Sequence, residues 1–266
     1  MKRVIASIAA ATAAALVTAA PVQAQSQAAP ADPVKALKSQ FIAGKGVRFT
    51  DRITMIEDGK GAPYLGRTGA FQFGKAGIVA SDITSMDAPS TDERADPPVP
   101  ARTIRIGTTS YSRGGTYSDK MPKGKSWYKD PDGMTGDVDG WFSQLVNVAE
   151  PATLASLLKG AKRTGATYTG STTFGKLAKV SPWFRASLPI RSSNSAVVTF
   201  KLTVNRSGLP QRLITSFPIT GIFDSSGWEG KAISAETRFT GWGTKVSIKA
   251  PPASKVTTKL EDREGL

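Results

Sequence analysis

The sequence contains neither cysteine nor histidine among its 266 residues. Without cysteine there is no disulfide bond, no thiol nucleophile and no lipidated cysteine behind a signal peptide. Without histidine there is no Ser-His-Asp triad, no histidine-ligated zinc ion and no imidazole general base. We therefore expect a protein that is not an enzyme and that holds neither a metal ion nor a cofactor.

A long apolar run is present only at the N-terminus. Two basic residues precede the Ala-rich stretch from Val4 to Ala20, and Val22-Gln23-Ala24 has the small-x-small pattern of a signal-peptidase site. This arrangement predicts a signal peptide over residues 1–24. We expect an exported protein, secreted or associated with the cell envelope, that is not lipid-anchored because no cysteine follows the cleavage site.

Acidic residues are outnumbered by basic ones, 21 to 35, which gives a formal net charge of +14. A protein with this charge is expected to adhere to polyanions such as an anionic membrane or an anionic wall polymer. Nucleic acid is not an expected partner, because no recognition motif accompanies the charge. The candidates for contact with an anionic surface are Lys120, Lys123 and Lys125, which lie in a lysine-rich hairpin predicted over residues 117–130.

Alternation of apolar and polar residues predicts a sheet with one solvated face. In the first such stretch, Val47, Phe49 and Ile53 share one face, while Arg48 and Arg52 lie on the other. Strands of this kind form antiparallel sheets that are wetted on one side. The same alternation is present at 71–73, 103–106, 198–204, 233–239 and 245–249.

Three helices are predicted beside the sheet. The first covers residues 32–42, with Asp32 as its N-cap and Pro33 as its first helical residue. The second covers residues 139–149 and the third residues 151–163. Three short helices are too few to cover a sheet of about ten strands, so we expect a cavity, although a curved sheet can also close on its own side chains.

The mature chain is predicted to be one domain. Residues 25–31 are a disordered stem by composition, residues 32–255 form the domain, and residues 256–266 are a polar tail. We expect the protein to be a monomer.

Five segments resemble, in this order, the LolA-like exported proteins, and more narrowly the LppX/LprG-type lipoproteins of actinobacteria. The resemblance implies an α+β fold in which a large curved antiparallel sheet forms a half-barrel, with a few short helices over its concave face. It further implies a binder or carrier of lipids or amphiphiles, without a polar ligand set to transfer. The segments are DPVKALKSQF (32–41), TYSDKMPKGKSWYK (116–129), PATLASLLKGAKRTGATYTGSTTF (151–174), VTFKLTVNRSGLPQRL (198–213) and TRFTGWGTKVSIKAPP (237–252).

The candidate ligand-binding residues are the apolar side chains expected on the inner face of the sheet and on the helices that close it. Each buried CH₂ group of a ligand would contribute about 0.8 kcal/mol. The alternative is a cavity-free basic envelope protein that binds anionic wall polymer or a membrane surface through its outer face. The candidates are Phe49, Phe71, Phe73, Ile104, Ile106, Trp127, Trp141, Leu145, Leu154, Leu158, Val198, Phe200 and Leu202.

Three other chemistries have weaker support. Ser156 and Lys159 form an S-x-x-K pair, but no S-D-N motif separates them from the K-T-G-like residues 163–165. Four aspartates between residues 130 and 139 do not have the spacing of an EF-hand calcium loop. The same aspartates, or Glu229 with Glu236, have no spacing that indicates a pair of glycosidase carboxylates.

Overall fold

A computed structural model of the protein describes residues 31–88, 99–136 and 138–261. The predicted signal peptide and nearly all of the predicted stem lie outside these ranges. The helices are short, and none in the described ranges combines the length and apolar character needed to span a bilayer. They are α1 (Pro33–Lys38), α2 (Pro151–Lys159), α3 (Phe174–Val180) and α4 (Pro182–Ser187), with single 3-10 turns at Gly115–Tyr117, Val138–Phe142, Ile219–Gly221, Ser226–Trp228 and Ala253–Lys255.

Within the described ranges, twelve strands form one open sheet. They are β1 (Lys45–Glu57), β2 (Lys60–Phe73), β3 (Ile78–Asp87), β4 (Ala101–Ile106), β5 (Thr109–Arg113), β6 (Trp127–Asp130), β7 (Lys162–Thr164), β8 (Thr167–Thr173), β9 (Val197–Val204), β10 (Pro210–Pro218), β11 (Ala232–Lys245) and β12 (Val256–Thr257).

The order of the strands is β12-β6-β5-β4-β3-β2-β1-β11-β10-β9-β8-β7. Strands β1 to β6 form one meander and β7 to β11 form a second, and the antiparallel pairing of β1 with β11 joins the two. All neighbours are antiparallel except β12, which runs parallel to β6. The predicted α+β class, with a large antiparallel sheet and a few short helices, is confirmed.

The two faces of the sheet differ in the way the alternation predicts. On the inner face, Phe49 of β1 lies opposite Phe239 of β11, and Leu202 of β9 lies opposite Leu213 of β10. All four side chains are buried in one apolar core. The outer face carries polar residues such as Lys201, which is exposed.

The helix predicted over residues 139–149 is wrong. After a 3-10 turn that ends at Phe142, residues 143–150 cross the core with neither helix nor strand, and we call them the covering segment. Two of its side chains accept hydrogen bonds from its own backbone: Gln144 from the amide of Val146 at 3.2 Å and Asn147 from that of Ala149 at 2.9 Å. Such local bonds replace those of a helix.

The other helical predictions were partly right. Helix α1 begins at Pro33, where the Asp32 carboxylate accepts from two backbone amides, but it ends at Lys38 rather than at residue 42. Helix α2 begins at Pro151 and ends before Gly160, because Lys162 and its neighbours form strand β7 instead.

Helices α3 and α4 were not predicted, although each has a clear start signal. The Thr173 hydroxyl accepts from the amide of Lys176 at 3.2 Å, and the Ser181 hydroxyl accepts from that of Phe184 at 2.9 Å. Pro182 stands at the first position of α4, as is common at helix starts.

The last part of the chain returns across the outer face of the sheet. Strand β11 ends at Lys245, so the strand predicted over 245–249 does not form, and residues 246–259 make up what we call the C-terminal segment. The amide of Ile248 donates to the side chain of Gln72 at 2.6 Å. The segment ends beside β6, where β12 lies inside the predicted polar tail.

Leu202 and Lys201 test the two faces of the sheet. Leu202→Ala removes a side chain that is 0% exposed and should lower the free energy of unfolding by about 2–5 kcal/mol. Lys201→Ala, one residue away on the outer face, should change it by about 0.5 kcal/mol or less. Urea denaturation measures both values, and equal losses would contradict the assignment of the faces.

Candidate functional site

An aromatic-walled cavity lies between the sheet and the covering segment. The rings of Phe49 and Phe71 are stacked with centroids 4.7 Å apart, and Trp183 of α4 meets Phe71 edge-on at 5.3 Å. The cavity encloses about 10 Å³, which is room for a single water-sized group. It is lined by Phe49, Asp51, Arg67, Phe71, Gln144, Val146, Asn147, Trp183, Thr237 and Phe239.

A buried ion pair forms one wall of this cavity. Arg67 of β2 donates from Nε and Nη2 to the same oxygen of Asp51, at 2.8 and 2.6 Å. The two side chains are only 2% and 1% exposed. Removing one member of such a pair costs about 3–5 kcal/mol, because the other charge is left buried without a partner. Loss of either partner alone would therefore destabilise this part of the core.

The second carboxylate oxygen of Asp51 remains unused. Asp51 Oδ1 is buried and has no hydrogen-bond partner among the described residues, and the same holds for Nδ2 of Asn147. Both residues line the cavity. A buried polar atom without a partner costs about 1–3 kcal/mol, so these two atoms are the chemically unsatisfied part of the site.

Gln144 connects the covering segment to the sheet. Its amide nitrogen donates to the hydroxyl of Thr237 at 3.1 Å, and its amide oxygen accepts from the hydroxyl of Thr215 at 2.9 Å. The indole of Trp183 donates to its backbone carbonyl at 3.2 Å. The side chain of Gln144 thus ties the covering segment to β10 and β11, and its backbone carbonyl ties the segment to α4.

Sequence reasoning missed these polar residues. Asp51 stands in phase with Phe49 and Ile53 along β1, so the alternation contained the signal that a charge faces inward. Gln144 and Asn147 gave no such signal, because the segment that carries them was predicted as a helix. Their burial follows from contacts with distant strands.

Ten of the predicted ligand-binding residues lie together. Eight belong to the buried core, and Trp141 and Leu158 are partly buried against it. Of the ten, Phe49 and Phe71 touch the cavity itself. The eight core residues are Phe49, Phe71, Phe73, Leu145, Leu154, Val198, Phe200 and Leu202.

The other three, Ile104, Ile106 and Trp127, lie on the outer face, contrary to expectation. Ile104 is paired with Asp82, whose side chain is on the outer side of β3, while the neighbouring Thr103 is paired with the inner Ile83. Alternation shows which residues share a face, but it does not show which face is inward.

Trp127 is buried on that outer side by two arginines and the C-terminal segment. The guanidinium carbons of Arg102 and Arg113 lie 5.7 and 5.0 Å from the centroid of its ring. Beside them, the backbone of residues 127 and 128 pairs with β12 of the C-terminal segment. Trp127 is therefore part of a separate outer cluster.

A second group of aromatic side chains, the rim cluster, lies at one end of the core. It consists of Tyr64, Trp141, Phe142, Phe223 and Trp228. Neighbouring ring centroids are 5.5 to 6.1 Å apart, and all five residues except Phe142 are partly exposed. The rim cluster packs against the core, so partly exposed aromatic rings are in contact with the buried apolar interior.

The three lysines predicted to contact an anionic surface differ in their surroundings. Lys120 and Lys123 are exposed in the connection between β5 and β6. Lys125 is half-buried and donates to the carbonyl of Ser254 in the C-terminal segment at 3.0 Å. It lines a cleft of about 520 Å³ together with Lys129 and Lys259.

Outer basic groups also surround Glu236 of β11. Glu236 accepts from Arg212 at 2.6 Å and from Arg238 at 2.7 Å. The hydrogen bond from Arg212 is the main reason that the pKa of Glu236 lies below its ordinary value. Arg52 and Lys201 lie in the same cross-strand row of the outer face.

Glu150, at the end of the covering segment, holds α2 and α4 together. Its carboxylate accepts from the amide of Trp183 at 2.7 Å, from the hydroxyl of Thr153 at 2.8 Å and from the hydroxyl of Ser181. Burial raises the pKa of Glu150, and these hydrogen bonds oppose that effect without cancelling it.

The comparisons with known proteins give no family. No protein-family model matches the chain, and no curated protein matches it. Among solved structures, a LolA superfamily protein from Nitrosomonas europaea is 10% identical, with a TM-score of 0.27 over 79% of this chain and 90% of that chain. A DUF1329 family protein from Desulfovibrio piger is 11% identical, with a TM-score of 0.35 over 81% and 95%. Scores this low do not assign the chain to either family.

Glu150→Gln should reveal the raised pKa. Because the folded state binds this proton more readily than the unfolded chain, the stabilisation is present below the ordinary value of 4.5 and is lost as pH rises through the folded pKa. Between about pH 4 and about pH 7, the Tm of the wild type should therefore fall relative to that of Glu150→Gln.

The matched control is Glu229→Gln, which changes an exposed carboxylate in the same chemical way. Its Tm should follow that of the wild type across the same range. Calorimetric scans at several pH values give the comparison. A Tm difference between the wild type and Glu150→Gln that does not change with pH would contradict the raised pKa.

Proposed function

We propose that the protein is an exported, non-enzymatic binder or carrier of lipids or other amphiphiles. The ligand lies between the inner face of the sheet and the covering segment, and the aromatic-walled cavity marks its position. The single observation that supports this function is that cavity, whose walls are the rings of Phe49, Phe71, Trp183 and Phe239. Aromatic walls bury large apolar area at low entropic cost.

An acyl chain enters only if the covering segment moves, because the cavity of about 10 Å³ is far smaller than a chain. The two sides of the cavity are suited to such a movement. On one side, β1, β2 and β11 are joined by long backbone ladders. On the other, the covering segment has no ladder and is tied to the sheet through Gln144. Segments of this kind open at lower free energy than strands in a sheet.

The rim cluster is the proposed entry point, because its partly exposed rings pack against the core. Along β1 and β2 the buried pair of Asp51 and Arg67 lies between this cluster and the ring of Phe71, so a chain that enters here passes the pair on its way inward. Each CH₂ group that leaves water contributes about 0.8 kcal/mol, and this contribution opposes the free energy needed to open the segment.

Export is the part of the proposal that rests on sequence alone. The signal peptide predicted over residues 1–24 sends the chain out of the cytoplasm, and the absence of cysteine leaves no site for a lipid anchor. An apolar ligand needs a carrier outside the membrane, where water separates it from its destination.

Native mass spectrometry of the full-length protein, purified from its own host without detergent, tests the proposal. We expect a copurifying amphiphile, or a stoichiometric complex after addition of a fluorescent fatty acid. If neither is detected with any of several acyl lengths, the proposed function is wrong.

Thr215→Val should make the site open more often. It removes the hydroxyl that donates to Gln144 and leaves a side chain of the same shape. A hydrogen bond contributes about 0.5–1.5 kcal/mol, so the open population, and with it the association rate of a fluorescent fatty acid, should rise by up to about tenfold. Stopped-flow fluorescence measures this rate.

The control is Thr199→Val, the same substitution at an exposed position of β9. Its association rate should equal that of the wild type. If Thr215→Val binds no faster than Thr199→Val, Gln144 does not hold the site closed.

A second candidate function is attachment to anionic wall polymer or membrane through the outer face. The observation that favours it is the cleft of about 520 Å³ under the C-terminal segment, which brings Lys125, Lys129 and Lys259 together. A polyanion bound there would need no opening of the core. The two functions occupy opposite faces and make separate predictions.

Lys129→Gln and Lys259→Gln test the second candidate. Each lysine near an anionic surface contributes about 1 kcal/mol, so each substitution should weaken binding to phosphatidylglycerol vesicles about fivefold. Binding should also weaken steeply as salt rises, because the screening length falls from about 30 Å to about 3 Å between about 0.01 M and 1 M. Lys35→Gln on α1, far along the chain from this cleft, should leave vesicle binding unchanged, and equal losses in all three variants would contradict the assignment to the cleft.

A further inference from the structure

The cavity contains one unused acceptor and one unused donor. The acceptor is Oδ1 of Asp51 and the donor is Nδ2 of Asn147, and neither has a hydrogen-bond partner among the described residues. Each residue is 3% exposed, and both line the same cavity. Four of the other eight lining residues are aromatic, whereas Arg67, Gln144 and Thr237 are polar. Arg67 and Thr237 neighbour Asp51, and Gln144 bonds to Thr237, so this side is the polar end of the cavity.

The other atoms of both side chains are committed. Asp51 Oδ2 accepts two hydrogen bonds from Arg67, at 2.8 and 2.6 Å. Asn147 Oδ1 accepts from the amide of Ala149 at 2.9 Å. These bonds hold both side chains in place, and they leave Oδ1 and Nδ2 as the groups available to a ligand.

The charge around the two atoms is balanced. The carboxylate of Asp51 would oppose a ligand carboxylate or phosphate, and the guanidinium of Arg67 would oppose a ligand ammonium group. Since both lie in the wall of the same small cavity, an uncharged polar group fits best. That group must donate one hydrogen bond and accept another.

We infer that the polar end of the bound amphiphile is a hydroxyl group, which donates to Asp51 Oδ1 and accepts from Asn147 Nδ2. A hydroxyl is a donor and an acceptor on a single atom, and the cavity has room for one group of water size. This inference rests on the proposed function, because it names the ligand class of the same site. The expected ligands are neutral alcohols with an apolar chain, such as fatty alcohols and acylglycerols.

Three probes with the same chain separate the ligand classes. Decyl alcohol donates and accepts, its methyl ether only accepts, and decylammonium only donates and is charged. The full-length wild type should bind the alcohol about tenfold more tightly than the ether or the ammonium ion, as measured by displacement of a fluorescent fatty acid.

Asn147→Asp replaces the donor Nδ2 by a carboxylate oxygen and keeps the oxygen that accepts from the amide of Ala149. With two carboxylates facing the cavity, the alcohol should lose its advantage over the ether, and decylammonium should become the preferred probe. Asn194→Asp makes the same chemical change at an exposed position and should keep the wild-type order of the three probes.

If circular dichroism shows that Asn147→Asp is unfolded, Asn147→Leu replaces it. This variant has no donor at the site, and it should bind the alcohol and the ether with equal affinity. A crystal structure of the wild type with decyl alcohol should place the hydroxyl oxygen within hydrogen-bond distance of Asp51 Oδ1 and Asn147 Nδ2.

The outcomes distinguish this inference from the proposed function. If the wild type binds the alcohol and the ether equally, or if the hydroxyl oxygen lies elsewhere in the complex, the hydroxyl assignment is wrong while amphiphile binding stands. If the Asn147 variant binds the three probes in the same order of affinity as the wild type, the hydroxyl assignment is also wrong. If none of the three probes binds, the proposed function itself fails.

Discussion

Strand β1 is paired with β11 from Lys45 to Ile56, and this pairing joins two meanders that are otherwise far apart in the chain. The core exists because the pairing aligns the inward residues of both halves. Phe49 meets Phe239 across it, and Asp51 meets Thr237. The ion pair with Arg67 and the hydrogen bond from Gln144 to Thr237 then form on adjacent strands. Both the apolar walls and the polar end of the cavity thus depend on one strand register, and a slip of one residue would turn all of these side chains outward.

The covering segment differs from the sheet in how it is stabilised. The sheet satisfies its backbone through ladders, whereas residues 143–150 rely on side chains such as Gln144 and Asn147, and on Glu150 at the boundary with α2. Burial of polar groups is costly unless every group finds a partner, and at this site two atoms do not find one among the described residues. Both of these atoms lie where the core meets the covering segment, and a boundary with unsatisfied polar groups is expected where a protein opens to a ligand.

Local sequence patterns predicted the fold class well and the site only in part. Period-two alternation in stretches such as 198–204 corresponds to strands, and Asp32-Pro33 begins α1. The helix predicted over 139–149 was wrong. The apolar residues of this segment are buried on all sides, and their spacing in the sequence cannot be distinguished from that of the buried face of a helix. Ile104 was assigned to the inner face because alternation shows which residues share a face of the sheet but not which face is inward. The unsatisfied atoms of Asp51 and Asn147 depend on which strands and segments meet, and local sequence carries no information about that.

An open sheet of twelve strands has two edges, and both are very short. One is β12, with 2 residues, and the other is β7, with 3 residues of which two are the basic Lys162 and Arg163. A long free edge would offer its unpaired amide and carbonyl groups to another sheet, and sheets without such protection assemble into fibrils. The return of the C-terminal segment to β6 therefore has a consequence beyond packing: it replaces a four-residue edge by a two-residue one. A protein with a large apolar interior can in this way avoid edge-to-edge pairing between copies of its sheet.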